Sequence, residues 1–132
     1  MVSRKLDAAI AEALGYEVRL MGENSFYYNT NKDYWTHSGD RIWHKVSAYS
    51  TDGNAMLELI KEAAEKGVVM DGIYYCNGET KEYVVSVFNT VEATRNEIDG
   101  MWPYMDVGKK MPIAVALAIY HALTGKEWTS ID

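Results

Sequence analysis

Arginine, tryptophan and lysine alternate along one short segment in the first half of the chain. In "RIWHKV", Arg41, Trp43 and Lys45 stand two positions apart. Residues two apart in a β-strand point to the same side of the sheet, so these side chains would form one stripe. A planar anionic ligand suits such a stripe, because its ring stacks on the tryptophan and its phosphates meet the cations. The alternative is an ordinary exposed strand with one packed tryptophan.

Aromatic and polar residues elsewhere could complete such a site. Phe88 and Asn89 end a strand-like run, and an asparagine amide can read a base edge as both donor and acceptor. Trp102 and Tyr104 add two aromatic residues on either side of Pro103. The predicted ligand-binding residues are Arg41, Trp43, Lys45, Phe88, Asn89, Arg95, Trp102 and Tyr104.

Other chemistry finds little support in the spacing of residues. "GKK" at 108–110 and "TGKEW" at 124–128 lack the upstream glycine of a phosphate-binding loop. His37 and His44 lie seven positions apart without a second ligand pair, so no metal site is predicted. Cys76 has no neighbouring base to activate it, and the acids are scattered. We therefore expect no catalytic residues, no cofactor and no enzymatic activity.

Composition limits the class of protein. A chain of 132 residues with 48% hydrophobic and 24% charged residues is expected to fold as a single domain, 1–132. A net charge of −6 disfavours DNA as a partner. One cysteine cannot form an internal disulfide, which suits a reducing cytosol. The longest apolar run, 111–123, is interrupted and too short to span a membrane. No signal peptide is recognised at the N-terminus, so a soluble intracellular protein is expected.

Apolar residues at helical spacing predict three helices. Ser3 would cap the first, which should end at Gly15. The second lies between 49 and 67, with Ser50 or Thr51 as its cap. The third occupies 111–125 and is apolar nearly all round, so it should be well buried.

Alternating and β-branched segments predict the strands. "YEVRLM" (16–21), "FYYNT" (26–30) and "RIWHKV" (41–46) are three of them. Two further runs, 68–76 and 79–88, flank Asn77-Gly78 and predict a hairpin with a two-residue turn. Residues 91–110 are expected to be a loop or a short helical insertion.

That hairpin pairing also predicts which side chains are buried. Its core face would collect Val68, Met70, Tyr74, Cys76, Tyr83, Val85 and Val87. The wider core is predicted to contain Leu6, Ile10, Leu14, Val18, Leu20, Met56, Leu59, Ile60, Val85, Val87, Ile113 and Leu117. The expected class is α+β, a layered alpha-beta-alpha sandwich with a small, mainly antiparallel sheet and three helices.

Three blocks of the sequence carry a resemblance to a known family. "LDAAIAEALGYEV" (6–18), "YSTDGNAMLELIKEA" (49–63) and "PIAVALAIYHALTGKEW" (112–128) cover a little over a third of the chain. They resemble the phage ABA-sandwich domain family of small bacteriophage and prophage proteins, with "YSTD" the most specific piece. The resemblance implies a phage origin and a layered alpha-beta-alpha fold. It implies no catalytic residues, and segments 22–45 and 88–110 lie outside it.

The phage resemblance suggests a role. Small phage α/β proteins include anti-defence sponges, which sequester nucleotide immune signals of the host. The expected function is therefore a non-enzymatic sponge for a small nucleotide-type ligand, acting as a homo-oligomer in the host bacterial cytoplasm. A protein–protein interaction module of phage origin without a small-molecule ligand is the alternative. A small enzyme such as a nucleotide hydrolase is the third reading, and it requires a cluster formed only in three dimensions.

Overall fold

The computed structural model describes residues 2–21, 25–29, 43–76, 78–79, 81–90 and 103–129. These ranges contain three helices and six strands. In chain order they are α1 (Val2–Ala13), β1 (Glu17–Leu20), β2 (Phe26–Asn29), β3 (His44–Lys45), α2 (Gly53–Glu65), β4 (Val68–Cys76), β5 (Glu82–Asn89), β6 (Tyr104–Gly108) and α3 (Met111–Thr124).

The strands form two antiparallel sheets of three strands, ordered β1-β2-β3 and β4-β5-β6. The α+β class is confirmed, with two small sheets in place of the expected single one. Helix α1 packs on β1 and β2, whereas α3 packs on the second sheet. Since α1 and α3 also contact each other, the helices lie between the two sheets. No helix in the described ranges is long and apolar enough to cross a membrane.

Helix α3 is the centre of the hydrophobic core. It contacts α1, α2 and all three strands of the second sheet. Its apolar residues lie on every side, so each neighbouring element finds a surface to cover. The prediction that this helix is well buried is confirmed by Ala114, Val115, Ala116, Ala118, Ile119 and Ala122.

The helix ends agree only in part with the predicted capping residues. Gly15 and Gly125 follow α1 and α3 with φ of +101° and +74°, the left-handed conformation that glycine tolerates best. Helix α1 already begins at Val2, so the prediction that Ser3 caps it is wrong. Asp52 caps α2, since its carboxylate accepts a hydrogen bond from the Ala55 N–H at 3.2 Å. The prediction of a cap one or two residues earlier is therefore wrong.

The hairpin is present, but its pairing differs from the predicted two-residue turn. Cys76 pairs with Glu82, so residues 77–81 separate the two strands. A β-bulge between Met70 and Gly72 adds a second shift, because an extra residue reverses the sides to which later side chains point. Tyr74 and Cys76 are consequently exposed, and the prediction that they face the core is wrong.

Ile73 takes the vacated core position in β4 and packs against the buried cluster. The Ser86 hydroxyl donates a hydrogen bond of 3.0 Å to Asp71, the residue inside the bulge. This bond holds the bulge against the neighbouring strand.

Strand β6 corrects the expectation of a loop or helical insertion over 91–110. Residues 104–108 pair with β5 and close the second sheet, while 91–102 lie outside the described residues. The alternation of Tyr104, Asp106 and Gly108 with Met105 and Val107 is the period-two signal that marks this strand.

Most of the predicted core is buried. Leu20 is the exception at 59% exposed, because it ends β1 and its side chain is left open there. Four further residues, Val18, Ile60, Ile113 and Leu117, are half-buried against the core. The fully or nearly fully buried ones are Leu6, Ile10, Leu14, Met56, Leu59, Val85 and Val87.

A buried carboxylate ties α1 to the segment that leads into α2. Asp7 has no exposed surface, and one of its oxygens accepts the Ser50 N–H at 2.9 Å. Its other oxygen lies 3.7 Å from the Arg4 guanidinium. Burial raises the pKa of Asp7, against the opposing effects of the Ser50 hydrogen bonds and of Arg4. The acid therefore positions the start of α2 at the expense of burying a charge.

Asp7 has two effects, the hydrogen bond from the Ser50 N–H and the burial of a charge, and we expect substitutions to separate them. Asp7→Ala leaves the Ser50 N–H without an acceptor and should lower the free energy of unfolding by about 1–3 kcal/mol. Asp7→Asn retains an acceptor oxygen and removes the buried charge, so it should be at least as stable as the wild type at neutral pH. Urea denaturation of the three proteins provides the comparison.

The pH dependence of the free energy of unfolding follows from the raised pKa of Asp7. The folded protein binds the Asp7 proton more tightly than the unfolded chain, so lowering the pH should stabilise the wild type relative to Asp7→Asn. The gain should develop between the raised pKa of the folded state and the ordinary value of 3.8, and then level off. A difference between the two proteins that stays constant with pH would contradict this assignment.

Candidate functional site

A row of cationic and aromatic side chains crosses the outer face of the first sheet. The register pairs Arg19 with Tyr27, and Tyr27 with Lys45. Val18 and Tyr28, the adjacent residues, pack against the core. Because side chains alternate along a strand, the row Arg19, Tyr27 and Lys45 faces away from α1.

Trp43 joins this row from the residue before β3. It stands two positions before Lys45, and the Arg19 guanidinium carbon lies 4.9 Å from the centre of its ring. This distance is within the range of a cation–π contact. Arg19 and Lys45 are exposed, whereas Tyr27 and Trp43 are half-buried. We call Arg19, Tyr27, Trp43 and Lys45 the cation–aromatic surface.

The predicted stripe corresponds to this surface in part. Trp43 and Lys45 share a side of the sheet, as the alternation predicts, while Arg41 lies outside the described residues. Sequence reasoning missed Arg19 and Tyr27. The signal for Arg19 was present, since Arg19 stands on the polar side of the alternating segment "YEVRLM". Only the register of β1 on β2 shows that it reaches Trp43.

Three other predicted ligand residues belong to the second sheet. The Asn89 amide donates a hydrogen bond of 2.8 Å to the Ala122 carbonyl oxygen, and so joins β5 to α3. Phe88 points to the opposite face of that sheet, because it is adjacent to Asn89 in the strand. Tyr104 pairs with Val87 and lies on the α3 side. The helices separate all three from Trp43 and Lys45, and Arg95 and Trp102 lie outside the described residues.

A histidine and an aspartate form a half-buried pair between β6 and α3. His121 Nδ1 lies 3.0 Å from an Asp106 oxygen, and the Tyr104 ring meets the imidazole edge-on at 4.8 Å between centroids. Burial raises the pKa of Asp106, and the hydrogen bond to His121 partly opposes that rise. These contacts fix α3 on β6, which is a packing role.

A small cleft lies where α2 and α3 begin. Its volume is about 240 Å³, and its lining comprises Ser50, Thr51, Lys110, Pro112 and Ile113. The positive end of the α3 dipole and the Lys110 side chain favour an anion there. Pockets for nucleotide-sized ligands usually hold about 300–1,000 Å³, so this cleft suits an ion better.

A metal centre has no support in the described ranges, where no three His, Cys, Asp or Glu side chains converge as ligands. The half-buried rings and exposed cations of the first sheet are therefore the arrangement with the clearest binding chemistry.

Comparison with known proteins gives an informative match among solved structures. No family model matches the chain, and no curated protein matches it. A solved structure of a phage protein from Bacillus cereus ATCC 14579 is similar, with a TM-score of 0.58 and 17% sequence identity. The similarity covers 98% of this chain and 93% of that one. This chain therefore shares its fold with that protein. The resemblance to the phage ABA-sandwich family remains an expectation from sequence.

The role of Asn89 can be tested separately. Asn89→Ala removes the donor to the Ala122 carbonyl and should lower the free energy of unfolding by about 1 kcal/mol. Asn89→Asp should be more harmful, because it places a carboxylate against a carbonyl oxygen. Chemical denaturation provides the measurement. Unchanged stability of both variants would show that the hydrogen bond contributes nothing.

Proposed function

We propose that this protein is a non-enzymatic phage protein that sequesters a small nucleotide-type immune signal of the host. It would act as a homo-oligomer in the host bacterial cytoplasm. The observation that supports this proposal is the cation–aromatic surface, where two rings and two cations lie side by side on one sheet face.

Each part of a nucleotide has a suitable partner on this surface. A base can stack on the ring of Tyr27 or Trp43, and stacking on an aromatic side chain contributes about 1–3 kcal/mol per base. Phosphate oxygens can accept hydrogen bonds from Lys45 and from the guanidinium of Arg19. Both cations are exposed and reach a ligand without rearrangement of the backbone.

The same side chains provide the contacts that sequestration requires. Arginine and lysine hold phosphate oxygens, and aromatic rings stack on a base. The phage assignment is supported by the shared fold of the Bacillus cereus phage protein and by the family resemblance of the sequence.

A protein-interaction module is the second candidate. It is favoured by the outer face of the second sheet, where Tyr74, Met105 and Val107 are 58, 54 and 49% exposed. Exposed apolar patches of this kind mark contact surfaces in soluble proteins.

The deciding experiment is a native mass spectrum of the protein purified from infected bacteria with active nucleotide-based defence. Denaturation should release an intact nucleotide-like compound, which is then identified. Release of a cleaved product would indicate an enzyme and overturn sequestration. A protein recovered empty would support the interaction module.

Variants of the surface should then lose affinity for the released compound. Trp43→Ala removes one stacking ring and should weaken binding about 5- to 150-fold, the equivalent of about 1–3 kcal/mol. Trp43→Phe keeps a ring and should retain most of the affinity. Arg19→Ala and Lys45→Ala should each weaken binding and reduce its salt dependence. Isothermal titration calorimetry measures these changes.

Two variants serve as matched controls. Lys61→Ala removes an exposed cation from α2, and Tyr75→Ala removes a half-exposed ring from the second sheet. Neither should alter binding. Wild-type affinity in Trp43→Ala, Arg19→Ala and Lys45→Ala together would place the ligand elsewhere on the protein.

A further inference from the structure

Strand β3 carries half of the cation–aromatic surface but is only two residues long. Trp43 and Lys45 stand on either side of His44 in the chain, so the His44 side chain points to the opposite face of the sheet. An average strand has about five or six residues, so the backbone pairing of β3 is minimal. The contacts of His44 therefore have a direct effect on the positions of Trp43 and Lys45.

His44 packs on an aromatic ring of the neighbouring strand. In the register of β2 and β3 it stands opposite Tyr28, and the two ring centroids lie 5.4 Å apart with their planes inclined by 35°. Tyr28 is half-buried against the core, whereas His44 is exposed. Because directly opposed ring pairs stabilise adjacent strands, this contact holds β3 to β2 on the inner face of the sheet.

Tyr28 packs in turn on a second tyrosine. Its ring centroid lies 4.8 Å from that of Tyr16, and the two planes are inclined by 33°. Tyr16 follows Gly15 at the end of α1, and its backbone N–H donates a hydrogen bond of 3.0 Å to the Ala11 carbonyl oxygen. Three rings thus lead from the end of α1 to β3. We call Tyr16, Tyr28 and His44 the ring row.

A carboxylate on α2 holds the far end of the ring row. The Tyr16 hydroxyl donates a hydrogen bond of 3.1 Å to Glu62, which is half-buried. Burial and the Glu62 carboxylate raise the pKa of Tyr16 to about 12, so the hydroxyl keeps its proton at neutral pH and remains a donor. This hydrogen bond connects α2 to the ring row, and through the ring row to the strand that carries Lys45.

The ring row and the cation–aromatic surface use opposite faces of the same strands. Tyr27 and Tyr28 are neighbours in β2, as His44 and Lys45 are in β3. A shift of β3 relative to β2 would break the ring contact on the inner face and, at the same time, move Lys45 away from Tyr27 on the outer face. The geometry of the outer face is therefore linked to the ring contacts of the inner one.

We propose that His44 is a positioning residue of the ligand site. Held by the ring row, it keeps Trp43 and Lys45 in the arrangement that binds the ligand, without touching the ligand itself. A site that already has its bound geometry loses less conformational freedom on binding, so the anchored strand increases the affinity. The inference rests on the proposed function for the kind of ligand, whereas the position of Trp43 can be measured without one.

The position of Trp43 is measured first, in the ligand-free protein. Its indole N–H gives a signal in a proton–nitrogen correlation spectrum, which is identified by its loss in Trp43→Phe. Glu62→Ala removes the anchor at the far end of the ring row, on a different element from Trp43, and should shift this signal.

Two further substitutions on α2 are matched controls for this shift. Glu62→Gln keeps an acceptor oxygen for the Tyr16 hydroxyl and should leave the Trp43 signal at its wild-type position. Glu58→Ala removes an exposed carboxylate from the same helix and should also leave the signal unchanged.

Affinity is measured next with AMP, a probe with one base and one phosphate, by following the same indole signal. His44→Ala should weaken AMP binding about two- to five-fold, because β3 then spends part of its time out of position. His44→Phe keeps a ring on Tyr28 and should restore the wild-type affinity. Glu62→Ala should weaken binding in the same direction. Circular dichroism verifies that the variants are folded.

Two results would overturn the positioning role. One is an unchanged Trp43 signal in Glu62→Ala together with unchanged affinity in His44→Ala. The other is a His44→Phe variant that loses as much affinity as His44→Ala, since the ring contact would then not be responsible. A wild type that binds no AMP, although Glu62→Ala shifts the Trp43 signal, would confirm that the ring row positions Trp43 and would reject the proposed nucleotide site.

Discussion

Helix α3 sets the main constraint on this fold, because apolar residues lie on every side of the helix and must be covered. A helix of this composition is stable in solution only when other elements cover it on all sides. Helix α1, helix α2 and the second sheet divide that surface among them. The hydrophobic core is therefore built around one central helix. The faces of the two sheets that point away from the helices do not contribute to this core.

The position of α2 relative to α1 depends on a polar contact inside this apolar structure. The contact between Asp7 and the Ser50 N–H crosses the chain at the point where α2 is about to begin. Asp52 then caps the helix two residues later. A hydrophobic contact here would tolerate sliding, whereas a hydrogen bond to a backbone N–H defines one register. The cost is a carboxylate held without water.

The sequence predicted those features that depend on local periodicity. The three helices, the glycines that end them and the strands "YEVRLM" and "FYYNT" repeat with a period that a single segment reveals. Features that depend on how the strands pair with one another were missed. The bulge at Asp71 reversed the predicted faces of Tyr74 and Cys76, and the long connection at 77–81 shifted the predicted pairing. The place of Arg19 beside Trp43 required the register of three strands, and only half of that surface was predicted.

In the proposed ligand site, the contact between Arg19 and Trp43 would affect selectivity. The guanidinium covers one face of the indole, so an uncharged aromatic compound that stacks on this face must displace the guanidinium. Such a compound has no negative charge to which the displaced guanidinium can bind. An anionic compound compensates for the displacement, because the released guanidinium can turn to its charge. For the proposed nucleotide ligand, the surface would therefore favour phosphorylated forms over nucleosides and free bases. The exposed Arg19 would be the residue that determines this selectivity.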